Sequence, residues 1–247
     1  MLRGSHYRGE YIDLMFRKLV SRAFDAIPSQ CAVCHTWPGR PVCEACVTEF
    51  AQPQPRCKTC ALAMLTDHPR CGACLTHPPV LDACVAAVSY EYPWSDLVSR
   101  FKFNSHPGWA ASFAHLMRTI PWVEPALDQA DIVVPMPLSA VRLRARGFNQ
   151  AQVLAHALQP DRLEPSILLR IKDTPAQSTQ SREERQRAVS DAYAVDPLLV
   201  ERIQHKRIVL VDDVMTSGAS INAAARVLEA GGAAHVTGLV FARTENH

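Results

Sequence analysis

Residues 207–220 read RIVLVDDVMTSGAS, and the fold turns on how this stretch is read. Residues 208–211 are a short, uninterrupted apolar run. Half-exposed strands alternate apolar and polar residues; a continuous run belongs to a strand buried on both faces of a parallel sheet. The run ends in two adjacent carboxylates, Asp212 and Asp213, followed by a small, hydroxyl-rich turn with one glycine. Next comes SINAAARVLEAGG, an Ala-rich helical stretch stopped by Gly231 and Gly232. HVTGLVFAR (235–243) is the following strand.

Working outward, the same alternation continues. VAAVSYEY (85–92) and DIVVPMP (131–137) read as strands, the second ending at prolines, and AYAV (192–195) as a weak strand. WSDLVSRFKF, WAASFAHLMRTI and NQAQVLAHAL read as helices, with NSHPG as a breaker between the first two. Strands alternating with helices give βαβ units, hence an α/β fold with a mostly parallel sheet and helices on both faces. Ligands of such sheets sit beyond the carboxyl ends of the strands, and residues 212–220 lie at one of those ends.

A loop entering a helix N-terminus offers free backbone N–H groups and the positive end of the helix dipole. Thr216, Ser217 and Ser220 add hydroxyls, and Gly218 permits close approach of an anion. The turn suits a phosphate monoester; it has neither the GK[ST] of a Walker loop nor a GxGxxG dinucleotide motif. Carboxylates repel phosphate but accept hydrogen bonds from sugar hydroxyls or hold a divalent cation. The expected ligand therefore carries a phosphate beside a diol, as a ribose 5-phosphate group does. The residues leave one other reading open: a Walker-B-like strand end, with Asp213 on a metal and the hydroxyls capping the helix.

The chain has 247 residues, 48% apolar, with a formal net charge of +2. It is long enough for one full domain and a small accessory one. So little net charge points to no particular partner, and nucleic-acid binding would need a local basic patch. No apolar run approaches the ~20 residues that span a bilayer. The first 27 residues are basic but lack an apolar h-region and a small-residue cleavage site. Within them Ile12, Met15, Phe16, Leu19, Val20 and Ala23 recur at helical spacing, as in a short docking helix or a membrane-surface helix. The expectation is a soluble cytoplasmic protein.

All nine cysteines precede residue 85. Eight form CxxC pairs: Cys31/Cys34, Cys43/Cys46, Cys57/Cys60 and Cys71/Cys74. Two thiolates three positions apart can reach one metal from a tight knuckle, and zinc takes four such ligands in a tetrahedron, so four pairs supply two structural Zn2+ sites. A thioredoxin-like motif would be one CxxC after a strand in a βαβ unit, which is not the context here. Consecutive pairing joins Cys31, Cys34, Cys43 and Cys46, then Cys57, Cys60, Cys71 and Cys74; interleaved pairing stays open. Cys84 is left over and reads as a buried apolar residue. Arg40, Arg56, Lys58 and Arg70 are scattered over the module without forming a basic stripe, so nucleic-acid contact by it is left open.

IVLVDDVMTSGAS resembles the 5-phosphoribosyl 1-diphosphate (PRPP) signature of type I phosphoribosyltransferases. That resemblance implies that Asp212 and Asp213 hold the ribose hydroxyls and that Met215, Thr216, Ser217, Gly218, Ala219 and Ser220 wrap the 5-phosphate. Four CxxC pairs, then RFKF, VPMPLSAVRLRARGFNQAQVLA and the loop, together resemble the ComF/GntX family over residues 31–243. The family pairs a double zinc ribbon with a type I phosphoribosyltransferase-like domain, and some members are linked to DNA uptake. The implied layout is an N-terminal extension (1–28), a double zinc ribbon (29–80) and a parallel-sheet phosphoribosyltransferase-like α/β domain (81–247).

The resemblance places a pyrophosphate-binding loop after the strand at 131–137, where Arg142, Arg144 and Arg146 are candidates and Arg146, beside Gly147, is favoured. Asn149 and Gln150 orient that loop or cap the next helix. It also implies a mobile hood at QSTQSREERQR (177–187), with Gln177, Gln180, Arg182 and Arg185 as candidates. A solvated helix fits that composition equally, and Ala188 stands where the family often has Asn. Lys102 in RFKF matches a family lysine. The implied function is PRPP binding with Mg2+ between diphosphate and ribose hydroxyls, serving DNA uptake or related nucleic-acid metabolism. Catalysis would displace diphosphate at the anomeric carbon. The alternatives are a non-catalytic PRPP-sensing or DNA-binding adaptor, with single-stranded DNA or uptake proteins as partners, and a nucleobase salvage enzyme. No general base and no acceptor can be read from the residues.

Overall fold

The computed structural model describes residues 29–37, 40–65, 68–103, 107–172 and 191–245. The helical spacing at 12–23 and the hood candidates Gln177, Gln180, Arg182 and Arg185 lie outside the described residues. The chain packs as two compact units, Met1–Glu49 and Phe50–His247. The described residues form strands β1 (Ala83–Ser89), β2 (Ile132–Pro135), β3 (Leu168–Arg170), β4 (Tyr193–Val195), β5 (Arg207–Met215) and β6 (His235–Arg243). Helices are α1 (Glu44–Phe50), α2 (Gly72–Thr76), α3 (Trp94–Phe103), α4 (Trp109–Arg118), α5 (Val123–Asp128), α6 (Ala140–Arg146), α7 (Gln150–Leu158) and α8 (Ala219–Ala230). Among these residues no helix is long and apolar enough to cross a membrane.

Four strands make an all-parallel sheet in the order β1-β6-β5-β2. Side chains alternate across it, as strand geometry requires. Ile208, Leu210, Val236 and Val240 join the core under α8 with Ile221, Ala224 and Leu228. Phe241, one position on, faces the other way: its ring stacks on Phe113 of α4 at 4.0 Å and meets Trp94 of α3 edge-on at 5.8 Å. The sheet is thus buried on both faces, which explains the unbroken apolar run at 208–211. A small antiparallel pair, β3 with β4, stands apart from it.

The connections locate the crevice. From β2 the chain passes through α7 and returns beside β2, where Leu163 bridges Val133 in parallel. From β5 it passes through α8 the other way, to β6. The two crossovers diverge between β2 and β5, and such a switch point opens a crevice at the strands' carboxyl ends.

The second set of CxxC pairs belongs to the same compact unit as the sheet. Two arginines fasten it there. Arg56 donates to the Ala61 carbonyl (2.9 Å), to Ser89 Oγ (2.9 Å) and to Glu245 (2.8 Å), and Glu245 also accepts from the Ala63 amide. Arg243, at the end of β6, donates through Nε to the Cys60 carbonyl (2.9 Å). The Cys84 amide of β1 donates to Lys58 O at 2.7 Å, and its thiol is buried, as expected of an unpaired cysteine. The boundary between the two compact units lies within the cysteine-rich region, between Glu49 and Phe50.

Candidate functional site

The cysteines converge as two consecutive sets. Cys31, Cys34, Cys43 and Cys46 form one cluster and Cys57, Cys60, Cys71 and Cys74 the other, with all Sγ atoms in each lying within 4.8 Å of one another. The knuckles are built alike. In the first, the His35 amide donates to Cys31 O and the Cys43 amide to Cys31 Sγ (3.4 Å). In the second, the Ala61 amide donates to Cys57 O and the Cys71 amide to Cys57 Sγ (3.3 Å). The residue after each first CxxC, His35 or Ala61, takes a positive φ to complete the turn.

This geometry fits zinc. A Zn–S bond of about 2.3 Å gives a tetrahedron with edges of about 3.8 Å. Sulfur pairs here lie at 3.8 Å (Cys31–Cys46), 3.5 Å (Cys34–Cys43) and 3.7 Å (Cys60–Cys71). Crowded thiols also resist joint ionisation: burial, then the neighbouring sulfurs, push the Cys46 thiol up. Thr36, through its hydroxyl and amide, pulls Cys34 down. A divalent cation resolves that conflict by binding all four as thiolates.

The second feature is a cleft of ≈ 190 Å³ at the carboxyl ends of β2 and β5, lined by residues of β5, of the segment that follows β2, of α3, α6, α7 and the start of α8, and of the β3–β4 pair. β5 carries Asp212 and Asp213 to its floor. The Asp213 amide donates to Asp212 Oδ1 at 2.9 Å, and Lys102 Nζ lies 3.1 Å from Asp213 Oδ1. Lys102 gets there because Trp94, Leu97, Val98 and Phe101 bury the other face of α3. Burial, and next the Asp213 charge, push the Asp212 carboxyl up to about 7 against the pull of the Asp213 amide, Lys102 and Arg146.

Residues 215–220 form the loop into α8 and line the same cleft. Gly218 has φ 78°, and a Cβ there would meet Met215 Cε at 2.5 Å, so both its backbone and its surroundings favour glycine. Asn222 Nδ2 donates to the Gly218 carbonyl (2.9 Å), and Ser217 Oγ accepts from the Ala219 amide (3.3 Å). Thr216 and Ser217 are exposed, while Ala219 and Ser220 are half-buried.

The arginine-rich stretch expected as a loop is a helix, α6. Ser139 Oγ caps its start by accepting from the Arg142 amide (3.3 Å), and Gly147 ends it at φ 79°. Helical spacing puts Arg142 and Arg146 on the face toward the cleft and leaves Arg144 exposed and outside its lining. The Arg146 guanidinium lies over the Phe103 ring at 5.5 Å and donates to Gln150 Oε1 at 2.9 Å. Asn149 does cap the next helix: its Oδ1 accepts from the Ala151 and Gln152 amides, and its Nδ2 donates to Met136 O. Gln150 is buried, and its Nε2 lacks a hydrogen-bond partner among the described residues.

Tyr193 and Arg170, which sequence reasoning did not single out, line the cleft from the β3–β4 pair. Arg170 Nη1 donates to Tyr193 Oη at 3.2 Å. Their three-residue strands leave too little periodicity to mark them.

A parallel sheet with a carboxylate pair and a helix-capping loop at its switch point defines a phosphoribosyl transferase fold. Residues 144–245 match the family model of the phosphoribosyl transferase domain. The chain is 31% identical over 178 residues to DNA utilization protein YhgH of Salmonella typhimurium, spanning 69% of this chain and 76% of that one. It is 29% identical over 163 residues to competence protein F of Haemophilus influenzae (63% and 70%) and 31% identical over 158 residues to competence protein ComFC of Bacillus subtilis (63% and 62%). The chain belongs to the ComF/GntX family.

Proposed function

We propose that the chain binds PRPP and serves DNA uptake or related nucleic-acid metabolism. The observation that carries this reading is the meeting, in one cleft, of two carboxylates at a strand end with a phosphate-sized loop at a helix N-terminus. Amides and hydroxyls of residues 215–220 take the 5-phosphate, the dipole of α8 adding attraction. Asp212 and Asp213 accept hydrogen bonds from the ribose diol. Arg142, Arg146 and Lys102 line the cleft as cations for the diphosphate, and Gln150 supplies an unused donor beside Arg146.

Mg2+ would use one or both aspartates together with oxygens of the ligand, a donor set in keeping with its reluctance to shed water. When bound, it neutralises diphosphate charge. Catalysis by such a site consists of positioning and of stabilising the leaving diphosphate while an oxocarbenium-like centre develops. The cysteine clusters hold two structural Zn2+ ions. The names of the relatives, competence protein and DNA utilization protein, support the physiological assignment.

Titration calorimetry with PRPP and Mg2+ tests the reading. Wild type binds, and Asp213→Asn binds at least tenfold more weakly; a wild type that takes neither PRPP nor ribose 5-phosphate ends it. Turnover of labelled PRPP against a panel of bases separates transfer to a free nucleobase from ligand sensing. Titration of single-stranded DNA at several salt concentrations tests the adaptor reading, because phosphate contacts must weaken with salt.

A further inference from the structure

Arg243 is a buried cation at the end of β6, and it has two sets of partners. Its Nε donates to the carbonyl of Cys60 in the second cysteine cluster (2.9 Å). Its Nη1 donates to the carbonyls of Met215 (3.4 Å), Thr216 (2.5 Å) and Thr244. One rigid, planar guanidinium thus joins a cysteine knuckle to the first two peptides of the loop entering α8. In a trans peptide the N–H points opposite to the C=O. Holding the Met215 and Thr216 carbonyls toward Arg243 therefore turns the Thr216 and Ser217 N–H groups away from it. A second link runs in parallel: the Cys84 thiol lies 3.6 Å from Met215 Sδ, while the Cys84 amide holds Lys58 O in the same knuckle.

We infer that Arg243 is a positioning residue that makes the phosphate affinity of loop 215–220 depend on the metal held by Cys57, Cys60, Cys71 and Cys74. Cys60 is a ligand in that cluster, and its own carbonyl anchors the guanidinium. Metal binding fixes the knuckle, the knuckle fixes the guanidinium, and the guanidinium fixes the loop's donors. The cluster of Cys31, Cys34, Cys43 and Cys46 belongs to the other compact unit, and the contacts described for Arg243 name none of its residues. The inference rests on the phosphoribosyl reading for its ligand, though not for the contacts themselves.

The test is cadmium NMR of the full chain with both clusters loaded, titrated with ribose 5-phosphate. Cys34→Ser assigns the two signals by removing the first. The second-cluster resonance moves in step with saturation. In Arg243→Lys, which keeps the charge but loses the fork, cadmium stays bound, the ligand-dependent shift disappears and affinity falls about tenfold. A second-cluster signal that ignores a ligand shown by calorimetry to bind overturns the inference. So does an Arg243→Lys protein that keeps the shift. If neither PRPP nor ribose 5-phosphate binds, the phosphoribosyl reading fails instead, and the coupling is read from the Met215 methyl resonance. That resonance shifts when Cys71→Ser empties the second cluster and stays put when Cys34→Ser empties the first; no shift in Cys71→Ser overturns the coupling.

Discussion

Lys102 Nζ stands 3.1 Å from Asp213 Oδ1, with both side chains largely buried. The pair joins the last turn of α3 to the end of β5, so the lysine supports both the fold and the cleft. Replacing it with methionine keeps the stem and leaves the Asp213 carboxylate without its partner. Truncating one side of a buried pair costs about 3 kcal/mol, less where water still reaches it. The expected result for Lys102→Met is about 2 kcal/mol lost in urea unfolding. Its PRPP affinity falls further than its ribose 5-phosphate affinity, because only PRPP carries the diphosphate. Equal losses for both ligands would remove Lys102 from the diphosphate's surroundings.

Asp212 has its carboxyl pushed up to about 7 by burial and by the charge of Asp213. An acid whose pKa is raised is protonated below that value and ionised above it, and in the proposed site only the ionised form has both oxygens available to accept from the ribose diol. Affinity for ribose 5-phosphate should therefore rise between about pH 6 and about pH 8. The ligand's own phosphate titrates near pH 6 and contributes in the same direction. 2-Deoxyribose 5-phosphate keeps the phosphate but lacks one hydroxyl, so it isolates the carboxylate's share. Calorimetry across that range should show a steeper rise for the ribose compound than for the deoxy compound. Asp212→Asn should abolish the difference.

Gly218 combines a left-handed backbone with a methyl-sized void already occupied by Met215 Cε. Alanine there costs about 1 kcal/mol in backbone strain. It also pushes against the loop that would hold the phosphate. Gly218→Ala should fold with a modest loss of stability and lose most of its ribose 5-phosphate affinity. The same change at Gly108, where an added Cβ meets nothing within 4 Å, is the control and should leave the affinity unchanged.

The main βαβ path was legible in the sequence because its signals are local. Residues 208–211 announce a buried strand, and the Ala-rich stretch ended by Gly231 announces α8. CxxC spacing alone implied the two clusters. Helix α6 had its marks as well, Ser139 as cap and Gly147 as terminator, but the family resemblance, which places a loop at this strand end, outweighed them. Arg243 was illegible for a different reason. Within HVTGLVFAR it is simply the last residue of a strand, and its partner Cys60 lies 183 positions away. Tyr193 and Leu163 likewise act through neighbours that only the folded chain supplies.

Glu245 anchors the second cysteine region from the far end of the chain. Its carboxylate accepts from Arg56, Ser89 and the Ala63 amide. Burial opposes ionisation, yet those donors together hold its pKa below the usual carboxylate range. A depressed acid stabilises the folded state at pH values above its unfolded pKa, and that contribution fades as pH falls through the folded one. Glu245→Gln should therefore cost about 1–2 kcal/mol near pH 7 and progressively less toward about pH 3. Urea titrations of both proteins across that range measure it. A penalty independent of pH would mean that shape, not charge, holds Glu245 in place.

The metal content of the cysteine clusters can be counted. In each set the four sulfurs lie within 4.8 Å of one another and include pairs near the edge length of a zinc tetrahedron, so protein purified without chelator should carry about two zinc ions per chain. Cys34→Ser should lower the count to about one, and adding Cys71→Ser should bring it near zero. The two losses should differ in consequence. The second cluster sits in the unit that contains the sheet, tied to it through Arg56 and Arg243, so Cys71→Ser should lower the unfolding temperature of the α/β body. Cys34→Ser acts on Met1–Glu49 and should leave that transition where it is. A zinc content near zero in the unmutated chain would remove the structural metal from the account altogether.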